Sequence, residues 1–169
     1  MHPEARMWIE RLGLSPHPEG GFFVETYRSS DIIPAAVLPQ RFAGPRSLAT
    51  SIYFLLAGDD FSAFHRLLSD EVWHFYAGAG LSLYQISDSG HLTEHRMGNV
   101  ASLDQHPQVT VLGRTWLAAR PVEATSYALV GCTTSPGFDF ADFELGERSM
   151  LVARYPLHSA LIKALTRTP

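Results

Sequence analysis

Apolar residues recur at helical spacing only near the N-terminus, where Ala5, Trp8, Ile9 and Leu12 fall at i, i+3, i+4 and i+7, the stripe of one helix face. Pro3 suits the first turn of that helix and Gly13 its stop. Beyond it the pattern shortens. Runs rich in Val, Tyr, Phe, Thr and Leu alternate with Gly, Pro, Asp and Ser at the spacing of roughly 8–12 residues that marks a sandwich or barrel. The runs predict strands at 22–28, 48–56, 62–68, 71–76, 81–86, 91–97, 108–112, 115–119, 126–133 and 150–154. Ser69-Asp70, Ala77-Gly78-Ala79-Gly80 and Asp88-Ser89-Gly90 read as turns. A short helix is expected at 141–145 and a terminal one opened by Pro156. No internal repeat or linker interrupts the pattern, so one domain is expected over residues 1–169.

Composition narrows the partners. With 46% hydrophobic and 18% charged residues the 169-residue chain is globular in type. Thirteen basic against seventeen acidic residues give a net charge of -4, and no Lys/Arg cluster is present, so no nucleic-acid partner is expected. Cys132 is the lone cysteine and has no partner for an internal disulfide. The charged N-terminus lacks the apolar run of a signal peptide. The longest apolar stretches, such as 52–57, are strand-sized, far short of the roughly 20 residues of a membrane span. The expectation is a cytoplasmic protein with no membrane partner.

Candidate chemistry concentrates between Phe64 and Gly78, where His65, Glu71 and His74 fall on two strands joined by a tight turn. Side chains alternate across a strand, so His65 shares a face with Leu67 while Arg66 takes the other. This stretch resembles the first motif of the cupin superfamily, His-x-His followed by Glu-x6-Gly. Glu71 and Gly78 meet its second part, His65 falls on the first His, and Leu67 stands at the second. The chain is more closely similar to an uncharacterised cupin subfamily through His17-Pro18-Glu19-Gly20-Gly21, Glu25-Thr26-Tyr27-Arg28-Ser29, Ser69 to Tyr76, Gly131-Cys132-Thr133 and Pro136-Gly137-Phe138-Asp139-Phe140. The resemblance implies an all-β fold, a double-stranded β-helix or jelly-roll barrel with short N- and C-terminal helices, an interior pocket and a homodimer.

In metal-binding cupins two His and a Glu of the first motif and a His of the second hold the ion. Here Leu67 stands at one of these positions and Leu117 at another. No metal or other cofactor is therefore expected; the alternative is a divalent transition ion on His65 and Glu71, with His74 joining only through a bulge. Metal-free epimerases of the superfamily offer another precedent, a His paired with an Asp that removes a proton beside a carbonyl. The resemblance puts His65 in that role, with Glu71 as acid or polarising partner and Asp139 or Asp142 as the orienting carboxylate. Tyr27, Tyr53 and Tyr84 are candidate acids. Glu25, Tyr27, Arg28, Arg46, Ser47, Thr50, His74 and Tyr84 are candidate ligand contacts, and the Arg forks suit an anionic or sugar-derived small molecule. Three function classes follow: a metal-independent acid–base enzyme of epimerase or isomerase type, a non-catalytic binding or sensor module, and a metal-dependent oxygenase or isomerase. Trp73, Trp116 and Phe75 read as core packing, Cys132 as a buried hydrophobe, and Gly20-Gly21 as a turn.

Overall fold

A computed structural model of the chain describes residues 1–101 and 104–167. The N-terminal helix α1 spans Pro3–Leu12, with Pro3 in its first turn and Gly13 closing it at φ 66°. Among the described residues thirteen strands follow, numbered in chain order, and eleven of them form two main antiparallel sheets. One carries β1 (Ser15–Pro16), β2 (Phe22–Arg28), β5 (Thr50–Ala57), β12 (Tyr127–Ser135), β7 (Asp70–Gly78) and β10 (Gln108–Val111), in that lateral order. The other runs β13 (Phe143–Leu145), β6 (Ser62–Leu67), β11 (Trp116–Pro121), β8 (Leu81–Ile86) and β9 (Leu92–Met97). A small ribbon, β3 (Ile32–Ile33) and β4 (Arg46–Ser47), stands apart from both.

Alternation of side chains across each strand builds three apolar layers. Phe54, Leu56, Trp73, Val130 and Cys132 of the first sheet meet Leu81, Leu83, Leu117 and Ala119 of the second in the central core. Leu55, Tyr127 and Leu129 point the other way and are covered by α1 through Trp8, Ile9 and Leu12. On the outer face of the second sheet, Phe64, Ile86, Trp116 and Ala118 lie under Leu151, Tyr155, Ile162 and Leu165 of the C-terminal segment. The expected two-sheet jelly roll with terminal helices is therefore the observed one.

Two elements near the C-terminus differ from the sequence reading. The run 150–154 is helix α2 (Arg148–Arg154), not a strand. The Glu147 carboxylate accepts the backbone N–H groups of Ser149 and Met150, a cap that opens a helix, and Leu151 and Tyr155 then fall on one buried face. Residues 141–145 are not helical as a unit. A single 3-10 turn, Phe140–Asp142, gives way to β13, which pairs with the open edge of β6. An unpaired edge offers this segment backbone partners that a short helix would lack. The terminal helix α3 spans Ser159–Ala164, after a 3-10 turn that begins at Pro156.

Two register shifts decide what faces the interior. Leu117 pairs with His65 and Ala119 with Ser62, so β6 carries one residue more than β11 over this stretch. Strict alternation would put Ser62 and His65 on opposite faces; the extra residue brings both inward. On β2, Glu25 pairs with Ile52, Tyr27 with Ser51 and Arg28 with Thr50. Glu25 and Arg28 thus share the interior side, and Tyr27 is turned out with 54% exposure.

Candidate functional site

A cavity of about 310 Å³ opens at one end of the sandwich. Phe54, Trp73, Cys132 and Leu67 wall its closed part, where Glu19, His65 and Glu71 are also buried. Its rim carries Glu25, Arg28, Asp139 and the exposed Phe140. Phe138, Phe140 and Phe143 form an aromatic wall; Phe143 stacks on the His65 ring at 5.5 Å and 26°, and Phe140 on His17 at 6.3 Å and 20°. Phe23 meets His17 edge-on at 4.6 Å.

The turn His17–Gly21 delivers a carboxylate to this space. Gly20 and Gly21 adopt φ of 115° and 70°, values that side-chain-bearing residues rarely take. A Cβ on Gly20 would also run into the Phe61 carbonyl and the Arg167 guanidinium. The Glu19 carbonyl accepts the Ala63 N–H at 2.9 Å, which docks the turn on β6. The Glu19 Oε1 then accepts the Ser62 hydroxyl at 2.8 Å, and its Oε2 lies 3.4 Å from both His65 Nε2 and His17 Nδ1.

Hydrogen-bond partners fix the imidazoles. The Ala63 carbonyl, which can only accept, lies 2.8 Å from His65 Nδ1. Nδ1 therefore carries the proton, and the Nε2 lone pair faces Glu19 and the cavity. His17 Nδ1 accepts the Glu19 backbone N–H at 3.3 Å, so its own proton sits on Nε2. Glu71 Oε2 accepts the Trp73 indole N–H at 2.6 Å. Ala63 thus holds both members of the Glu19–His65 pair, one through its N–H and one through its carbonyl.

Burial dominates the protonation of this cluster. Loss of water pushes the Glu19 carboxyl up to about 8, against the pull of the Ser62 hydrogen bond. Glu71 is pushed up to about 7, chiefly by burial; His65 and the Trp73 N–H favour its charged form and Glu19 opposes it. Burial, and then the neighbouring His65, drives His17 down to about 4. His65 is also lowered, because burial outweighs the attraction of Glu71 and the bond to Ala63. The sequence leaves the direction of that last shift open; in the fold, desolvation wins. Near neutral pH both imidazoles are uncharged, Glu19 is mostly protonated and Glu71 is poised to exchange its proton.

This arrangement has a consequence for stability. Both carboxyls hold protons more tightly when folded, so their contribution is complete below their ordinary value of 4.5 and is lost as pH rises through about 7 and about 8. The histidines act oppositely: their contribution is complete above 6.5 and is lost as pH falls below it, toward about 4 for His17. The two effects offset between these ranges. Above pH 6.5 only the carboxyls remain, and stability is expected to fall by about 1.4 kcal/mol per pH unit for each one that stays protonated in the fold while ionised in the unfolded chain. Urea unfolding followed across this window should show that slope in the parent chain and a shallower one in Glu19→Gln. Equal slopes would show that Glu19 holds no more proton in the fold than in the unfolded chain there.

The remaining sequence candidates divide. Glu25, Arg28, Thr50 and Asp139 line the cavity with His65 and Glu71. Arg28 is tied to Glu25 at 2.6 and 2.9 Å and to the Phe138 carbonyl at 3.1 Å. Asp139 does not orient His65; it accepts the Ala141 N–H at 2.8 Å and opens the 3-10 turn. Asp142 faces Arg46 in a buried bidentate pair at 2.6 and 2.7 Å, and neither lines the cavity. Ser47 is buried beside Gly137, whose N–H its carbonyl accepts. Tyr27 is turned out by the β2 shift. His74 lies on the face of β7 opposite Glu71 and Trp73, because the shift on this strand falls beyond it, between Phe75 and Ala77. Tyr84 points to the outer face of the second sheet, where its hydroxyl accepts from Arg120. Cys132 and Trp73 are buried as expected but also line the cavity.

Sequence reasoning missed His17, Glu19 and the Phe138, Phe140 and Phe143 wall. A visible signal was present. His17-Pro18-Glu19-Gly20-Gly21 puts two ionisable groups in a turn locked by paired glycines, and the aromatic residues recur closely after Pro136.

The family match follows the same ground. Residues 6–146 match the family described as Cupin superfamily (DUF985). This chain belongs to that cupin family. The cupin is similar over 98% of both chains to an X-ray structure of a protein from Shewanella oneidensis, at 39% identity and TM-score 0.87. It is similar to a hypothetical protein from Leishmania major at 32% identity and TM-score 0.87, over 99% of this chain and 100% of that one. Oxalate decarboxylase from Bacillus subtilis, a protein described with Mn(II) centers, shares the fold at 11% identity and TM-score 0.52, over 90% of this cupin and 37% of that chain. No protein of curated function matches the sequence.

Two positions that hold the ion in metal-binding cupins carry apolar side chains in this one. At the two vacated ligand positions Leu67 lines the cavity and Leu117 packs in the core. The Ala63 carbonyl holds His65 Nδ1, which leaves Nε2 as the ring's one free nitrogen, and Trp73 occupies one Glu71 oxygen. Among the described residues no three His, Cys, Asp or Glu side chains are grouped to hold an ion. No helix among them is long and apolar enough to cross a membrane.

Proposed function

We propose that this cupin is a metal-independent acid–base enzyme of epimerase or isomerase type, acting on a small, uncharged polar molecule such as a sugar-derived carbonyl compound. The observation that carries this reading is the His65 ring: its Nδ1–H is held by the Ala63 carbonyl, and its Nε2 lone pair faces a buried carboxyl inside an enclosed cavity. A base of this kind takes a proton from a carbon beside a carbonyl through Nε2. Glu71, with one oxygen held by Trp73 and its proton labile near pH 7, supplies a proton to the carbonyl oxygen as charge develops there. Return of a proton to carbon from the imidazolium or from Glu19, as the enol proton passes back to Glu71, completes an isomerisation; where Glu19 is the donor it regains its proton from His65 Nε2, 3.4 Å away. Glu19 sets the proton count of the pair.

Charge and size support an uncharged substrate. Arg28 is the cavity's one cation among the described residues, and Glu25 already occupies its fork. About 310 Å³ is near the lower bound of ligand pockets, roughly 300–1,000 Å³. Phe138, Phe140 and Phe143 offer rings to the C–H face of a sugar-like body. The apolar share of the lining also favours a second reading, a binding module without turnover.

Incubation in D2O with monosaccharides and their keto derivatives separates the two. The enzyme reading expects deuterium to enter a carbon next to the carbonyl of at least one compound, as seen by NMR. A compound that binds in this cavity without exchanging, while none exchanges, would establish the binding module instead.

A further inference from the structure

A second cleft, of about 800 Å³, lies on the outer face of the second sheet. It is separated from the first cavity by the sheet itself, for Leu81 and Leu83 point into the core while Ser82 and Tyr84 point out into the cleft. We propose that it binds a small molecule through a phosphate monoester.

Strand register creates the site. Ser82 on β8 pairs with Arg96 on β9 and with Arg120 on β11. The two arginines therefore stand on either side of Ser82, their backbones about 10 Å apart at two strand spacings. Both line the cleft. Arg28, Arg46, Arg66, Arg154 and Arg167 each face a carboxylate; of the arginines without such a partner among the described residues, Arg96 and Arg120 share this cleft. The floor between them is polar and buried. Ser82 is 8% exposed and Tyr84 6%; the Tyr84 hydroxyl accepts from Arg120 at 3.3 Å, and the Ser82 hydroxyl donates to Glu94 at 2.9 Å.

The chemistry selects the anion. A planar carboxylate offers two oxygens and is satisfied by one guanidinium fork. A phosphate monoester directs three oxygens outward, so it accepts from two forks on separate strands and from the Tyr84 hydroxyl, which accepts from Arg120 and keeps its own proton to donate. Asp59, Asp60 and Glu94 share the lining; Asp60 is held by Arg167, and Asp59 and Glu94 accept hydroxyl groups from the rest of the molecule. This cleft thus differs from the first cavity, which has no unpaired cation.

The test is an NMR titration of the 15N-labelled full chain with inorganic phosphate and with acetate, ionic strength being held constant with chloride. Phosphate is expected to give saturable shifts centred on Ser82, Tyr84 and the two arginine side chains, roughly tenfold tighter than acetate. The double variant Arg96→Gln with Arg120→Gln should weaken phosphate by about tenfold or more, while Glu71→Gln should leave it unchanged. Should the double variant fail to fold, Arg96→Gln alone, at an exposed position on the edge strand, carries the comparison. Shifts that grow without saturating, or that chloride reproduces, would overturn the proposal. So would equal affinity for acetate, unchanged phosphate affinity in the arginine variants, or loss of binding in Glu71→Gln.

Discussion

Replacing His65 by Gln should lower turnover by roughly 10²–10⁴-fold, the usual contribution of a positioned acid–base group, while the chain still folds. Gln keeps much of the ring's bulk and can donate to the Ala63 carbonyl in place of Nδ1–H. It cannot accept and release a proton at the position of Nε2. Glu71→Gln should lower turnover as well, because the amide still accepts from Trp73 but has no labile proton. A purely structural His65 predicts the reverse: a melting temperature several degrees lower and activity that follows the folded fraction. Deuterium exchange into the compound found active, measured beside thermal melting for both variants, separates the outcomes. Unchanged exchange in both would remove this pair from the chemistry.

Asp142→Asn should be the most destabilising conservative change in the chain's charged residues. Arg46 and Asp142 form a bidentate pair with side chains only 5% and 4% exposed. Breaking such a pair from one side leaves a buried charge without its counter-ion, at a cost of about 3–5 kcal/mol. For a chain of this size that corresponds to a drop in melting temperature of roughly 6–20 °C. The pair joins β4 to the turn that carries Phe140 and leads into Phe143, so the aromatic wall should loosen with it. Asn keeps the shape and one acceptor, which confines the loss to charge. A melting temperature within two degrees of the parent, the shift expected for about 0.5–1 kcal/mol, would show that the pair contributes little.

Much of the barrel was legible because sheet formation leaves a local record. The alternating runs at 22–28 and 81–86 coincide with β2 and β8, since burial of one face of a pleated strand requires a period of two. The terminal elements were less legible. A short apolar run such as 150–154 fits strand and buried helix alike, and only the Glu147 cap and the surface beneath Leu151 and Tyr155 favour the helix. At 143–145 the free edge of β6 decided.

For the site, the sequence by itself determined the residue types and the strand that presents them: His65 and Glu71, one turn apart, with Leu67 and Leu117 where a metal-binding relative would carry His. Only the tertiary structure decided which groups meet. Strict alternation places Tyr27 inward and Ser62 opposite His65; one extra residue on β2 and one on β6 reverse both assignments. A bulge of this kind arises from pairing between strands far apart in sequence, so no local pattern encodes it. The carboxylate beside His65 comes from Glu19, 46 positions away in sequence numbering and delivered by a glycine turn docked on Ala63. Asp142, which lies near the cavity in the chain's layout, is instead taken by Arg46. Long-range packing sets these distances, and with them the desolvation that holds His65 neutral and the carboxyls protonated.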